Sequence, residues 1–134
     1  MVNHFIAVNS FLHQIDCFCP DKQHSDFVKI NQTDIIRILN ERTYNEVNGW
    51  YVLVEINYDC FYIAVEDLDH YNSQGLLYSE LDLELQLNYL NFHIDESLDQ
   101  ADEGKFKEVS SRWLELKMLN EKLGTAVKSI QFSL

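Results

Sequence analysis

Residues 50–66 read Trp-Tyr-Val-Leu-Val-Glu-Ile-Asn-Tyr-Asp-Cys-Phe-Tyr-Ile-Ala-Val-Glu, two runs with apolar side chains at every second position. A period of two marks strands that bury one face. Val52, Val54 and Ile56 alternate with Tyr51, Leu53 and Glu55, and Phe61, Ile63 and Val65 alternate with Tyr62, Ala64 and Glu66. A two-residue turn at Tyr58-Asp59 would set Ile56 opposite Phe61, Val54 opposite Ile63 and Val52 opposite Val65, with all six on one core face. A slip of one residue would turn that face to water. An antiparallel hairpin is the starting point for the fold.

Upstream, Asn48-Gly49 tolerates positive φ and ends the preceding element, which Ile35, Ile36, Leu39 and Val47 mark as a helix over 34–46. Thr33 would cap that helix, with Asp34 beside its positive end. Phe27-Val28-Lys29-Ile30 predicts a short strand. Residues 2–16 fit two patterns. Phe5, Val8, Leu12 and Ile15 recur at helical spacing, while Ile6, Val8 and Leu12 suit a strand; helix is the preferred reading. Pro20 breaks whatever precedes it.

Downstream, residues 67–75 read as a loop. Ser79 caps a helix with Asp82 as its reciprocal partner. Leu83, Leu87, Leu90, Ile94 and Leu98 then form one apolar stripe. A break near Gln100-Ala101-Asp102, with Asp102 as cap, leads to a second helix carrying Phe106, Val109, Trp113, Leu116 and Leu123 and ending before Gly124. Two stripes on a short connection imply an antiparallel helix pair over 80–123. Val127–Phe132 alternates like a strand and would dock on an edge of the hairpin sheet. The expected fold class is α+β: a small antiparallel sheet packed with helices, within one domain spanning residues 1–134.

Twenty-two acidic residues against ten basic ones give a net charge of −12, which repels phosphates and anionic headgroups. Direct nucleic-acid binding and membrane attachment are not expected. Three cysteines (Cys17, Cys19, Cys60) and no secretory signal suggest free thiols in the cytoplasm. Cys17 and Cys19 are separated by a single residue, too close for a zinc thiolate pair, even with His24 nearby. The five histidines are scattered, the four glycines make no phosphate cradle, and no nucleophile elbow is present. No catalytic, cofactor-binding or metal-binding residue is assigned. Asp95–Glu108 lacks the order of an EF-hand. The carboxylates Asp95, Glu96, Asp99, Asp102 and Glu103 gather where the first long helix gives way to the second. Some of them would support the second helix through its dipole, and the rest are the candidate partner-binding residues.

The run His93-Ile94-Asp95-Glu96-Ser97-Leu98-Asp99-Gln100-Ala101-Asp102-Glu103-Gly104-Lys105-Phe106 resembles the IDEAL domain of low-GC Gram-positive bacteria and their phages. Ser97 stands where that family usually has Ala, and Asp102, Phe106 and Val109 match the order that follows the motif. The hairpin at 50–66 is similar in kind to one that precedes an IDEAL segment in a second family. The resemblance implies a small cytoplasmic regulatory protein without established catalytic residues.

The function expected from these readings is a non-enzymatic regulatory or protein–protein interaction module. Its partner would be another protein with a basic surface, and a homodimer would cover any apolar strip left on the helix pair. The alternative is an acidic inhibitor of a nucleic-acid-binding protein, its carboxylates standing in for phosphates.

Overall fold

The hairpin forms, and it lies at one side of a larger sheet. A computed structural model describes residues 3–16 and 26–132, with side chains through residue 129. The expectations placed on Cys17, Cys19, Pro20 and His24 lie outside the described residues. The chain divides into two compact units, Met1–Tyr78 and Ser79–Leu134, with the boundary at the residue that caps the first long helix. The fold class is α+β.

In the first unit, β1 (His4–Ala7), β4 (Ile35–Asn45), β5 (Gly49–Ile56), β6 (Asp59–Ala64) and β7 (Leu77–Tyr78) form an antiparallel sheet in the order β6-β5-β4-β1-β7. β2 (Phe11–Ile15) and β3 (Asp26–Ile30) pair separately. α1 covers Val65–Ser73. The core gathers Ala7, Ile30, Ile36, Val52, Val54, Ile56, Ile63, Leu68 and Leu77.

The hairpin turn falls at Asn57-Tyr58, one residue earlier than expected, and pairs Val54 with Phe61 and Val52 with Ile63. Both turn residues have positive φ, 51° and 72°, as a type I′ turn demands, and Asn accepts that conformation at little cost. The pairing moves by two residues, so every side chain keeps its predicted face. Val65 leaves the sheet to begin α1.

Four expectations in this unit are corrected. Residues 2–16 contain two strands, not a helix. Residues 34–46 form the long strand β4, not a helix. Thr33 takes φ 77° and donates its N–H to the Ala7 carbonyl at 2.8 Å, while Asp34 accepts from the Asn31 N–H; neither serves a helix end. Between the pairs Ile38↔Val54 and Arg42↔Val52, β4 has three residues where β5 has one. That bulge breaks the alternation by which a strand is recognised. The segment 67–75 is also not a loop: most of it is α1, closed by Gly75 at φ 76°. There the Leu76 N–H bonds to the Tyr71 carbonyl and the Gly75 N–H to the Asn72 carbonyl, the double closure of a Schellman motif.

In the second unit, α2 (Glu80–Asp99) and α3 (Glu103–Phe132) run antiparallel. The predicted capping box is present: the Ser79 hydroxyl accepts from the Asp82 N–H at 3.2 Å, and the Asp82 carboxylate accepts from the Ser79 N–H at 2.9 Å. Leu83 and Leu87 of α2 and Leu116, Leu119 and Leu123 of α3 are buried. α3 does not stop before Gly124, and Val127–Phe132 is helix, not a sheet strand. Glycine lowers helix stability by only roughly 1 kcal/mol relative to Ala, and half-buried Ala126 and Val127 continue the apolar side beyond it.

Candidate functional site

The α2–α3 turn repeats the closure seen at Gly75 with a less suitable residue. The Asp102 N–H bonds to the Ser97 carbonyl at 2.9 Å and the Ala101 N–H to the Leu98 carbonyl at 3.1 Å. Ala101 sits at φ 53°, left-handed backbone that glycine adopts more readily. Asp102 then caps α3, its carboxylate accepting from the Lys105 N–H at 3.1 Å. Ser97 is buried and returns its hydroxyl to the Ile94 carbonyl at 2.7 Å. It therefore needs no partner across the interface. Leu98, expected on the core stripe, is 59% exposed, because Ser97 holds the inward position and a residue one further on turns away. A shallow cavity of about 210 Å³ opens at the turn, lined by Ser97, Leu98, Ala101, Asp102, Glu103 and Phe106.

The five candidate carboxylates play different parts. Glu96, expected to face outward, lies half-buried against the Lys105 ammonium, with His93 Nδ1 3.9 Å away. The hydrogen bond and charge of Lys105 hold the Glu96 carboxyl below the usual range; desolvation opposes this and His93 adds a weaker pull. Asp102 is the cap. Glu103 lies in the first turn of α3 and reaches Lys107 at 3.7 Å in a solvated pair. Asp95 and Asp99 are exposed on the last turns of α2. These two have the fewest structural duties.

A second groove, about 420 Å³, lies between the helices and is lined by Glu84, Leu87, Asn88, Asn91, Trp113, Lys117 and Asn120. The Trp113 indole N–H is buried there without a hydrogen-bond partner among the described residues.

The first unit holds a polar cluster that sequence reasoning missed. His13 is 2% exposed, its Nδ1 hydrogen-bonded to the Tyr71 hydroxyl at 2.7 Å and its ring stacked on Phe61. Nearby, the Tyr51 hydroxyl donates to Asp16 at 2.7 Å. Burial, then the bond to Asp16, pushes the Tyr51 hydroxyl up to about 12. Only strand geometry at 11–15 turns His13 inward, so the helical reading of that segment hid it. Cys60 is a free thiol, exposed on β6.

Burial lowers the His13 pKa from 6.5, against the opposing pull of Asp67 and Asp16. The unfolded chain therefore binds the proton more tightly than the native one. His13's contribution to stability is complete above about pH 6.5 and is lost as pH falls below it. Denaturant midpoints should drop between pH 7 and pH 5, and His13→Gln should flatten that slope. An unchanged slope in the variant would assign the acid sensitivity elsewhere.

Among the described residues, no group of three or more His, Cys, Asp or Glu side chains is placed to hold a metal ion. No described helix is long and apolar enough to cross a membrane. No family model, curated protein or solved structure matches this chain.

Proposed function

We propose that this chain is a non-enzymatic interaction module that binds a basic protein partner through the acidic end of its helix pair, in the cytoplasm. The observation that carries this reading is the division of labour among the five carboxylates. Asp102 caps α3, Glu96 holds Lys105 and Glu103 pairs with Lys107, while Asp95 and Asp99 stand exposed on the last turns of α2. Exposed carboxylates without a folding task can be presented to a partner's Lys or Arg. The likeness of residues 93–106 to the IDEAL domain agrees with a regulatory role.

The test is Asp95→Lys combined with Asp99→Lys, leaving Glu96 in place because a lysine there would face Lys105. Thermal unfolding should stay within about 0.5 kcal/mol of wild type, since both positions are exposed. Affinity capture from a Gram-positive lysate, read by mass spectrometry, should lose its main co-captured protein. Equal capture by the double variant would reject the acidic end as the contact. If that protein normally binds DNA and DNA displaces this chain, the phosphate-mimic reading would replace simple docking.

A further inference from the structure

The side of α2 turned away from α3 carries a second apolar stripe. Leu81, Leu85, Tyr89 and Phe92 are 61%, 59%, 60% and 63% exposed, whereas Leu83 and Leu87 on the opposite side are 0% and 8% exposed. Positions 81, 85, 88, 92, 95 and 99 follow one line along a helix, and here they read Leu, Leu, Asn, Phe, Asp, Asp. The stripe is apolar over its first turns and acidic at its end. Asp95 and Asp99 are its continuation.

We propose that this face receives an amphipathic helix of another protein. Apolar side chains of that helix would cover Leu81, Leu85, Tyr89 and Phe92, and its basic end would meet Asp95 and Asp99. Charge selects this occupant. α2 carries Glu80, Asp82, Glu84, Asp95, Glu96 and Asp99 and no Lys or Arg. A second copy meeting α2 against α2 would juxtapose like charges, within a chain whose net charge is already −12. A basic helix satisfies the apolar stripe and the carboxylates together, laid along α2 as two helices pair through apolar lines. This inference rests on the interaction reading only in sharing Asp95 and Asp99; the apolar contact is independent of it.

The probe is a synthetic helical peptide of Leu and Lys, with leucines at helical spacing and lysines gathered at one end, titrated calorimetrically into the full chain. Two controls are a scrambled peptide of the same composition and a peptide with Glu in place of Lys. The ordered basic peptide should bind, with both controls weaker by roughly tenfold or more. The Leu85→Gln/Phe92→Gln variant should weaken binding by about tenfold with unchanged thermal unfolding, while Leu114→Gln/Met118→Gln on α3 should not. No binding, equal binding of the scrambled peptide, or indifference to Leu85→Gln/Phe92→Gln would overturn the proposal. So would a concentration-dependent dimer abolished by that variant, which would give the face to a second copy, or protection of the stripe by residues 3–78 in the free chain. If Asp95→Lys/Asp99→Lys abolishes capture while the peptide fails to bind, the acidic end survives and the stripe does not. If the peptide binds as stated and that charge reversal leaves capture intact, the stripe survives and the acidic end does not.

Discussion

Ile36→Pro is expected to unfold the first unit. Ile36 is fully buried in β4, paired with Phe5 of β1 on one side of a strand whose other neighbour is β5. Proline there removes a ladder donor from an interior strand and leaves a void where the Ile side chain was. The two losses together are on the order of 4 kcal/mol or more, against typical domain stabilities of about 5–15 kcal/mol. The same substitution discriminates between the two readings of this segment. In a helix capped by Thr33, residue 36 would lie in the first turn, where proline is tolerated. Each unit contains one tryptophan, Trp50 and Trp113, so a Trp113→Phe background leaves Trp50 as reporter of the sheet. Native fluorescence and native denaturant response from Trp50 in the proline variant would contradict strand β4.

Leu83→Ala should destabilise the helix pair by about 2–5 kcal/mol, while Leu85→Ala, two positions away, should change stability by less than about 0.5 kcal/mol. The chemical change is identical and the helix is the same. What differs is that Leu83 is wholly buried and Leu85 is 59% exposed. Alanine also favours a helix at least as well as leucine, so propensity does not offset the loss at 83 or cause one at 85. Denaturation followed through Trp113 in a Trp50→Phe background would measure both. Equal effects at the two positions would show that Leu85 is covered in solution, and would remove the apolar stripe from consideration as a docking face.

The features legible in the sequence were those whose causes lie close together along the chain. The period-two runs at 50–66 identified both hairpin faces, and Ser79 with Asp82 identified a capping box, because each depends on residues a few positions apart. The features missed depend on distant partners. Thr33 reads locally as a cap, yet its N–H serves the carbonyl of Ala7, and the bulge in β4 hides that strand's alternation. At the candidate site, the acidic cluster was visible from composition. The separation of Glu96 from Asp95 and Asp99 was not, since it depends on Lys105 returning across the turn. The outer stripe of α2 is masked in the sequence for a different reason: one apolar face already satisfies the pattern for a helix pair, and Leu81, Leu85, Tyr89 and Phe92 form a second.

The strand order β6-β5-β4-β1-β7 also has a consequence in time. β1 pairs with β4 through His4↔Arg37 and with β7 through Ile6↔Tyr78, the first partner some thirty residues along the chain and the second more than seventy. During synthesis, β4, β5 and β6 are made consecutively and are joined by short turns, so they can pair as soon as they emerge. β1 must wait for residue 78 before its second edge has a neighbour, and closing contacts so distant in sequence is slow. The helix pair that follows can close outward from its own turn, starting with near contacts such as Glu96 with Lys105. β1 is made before the rest of its sheet and enclosed after it.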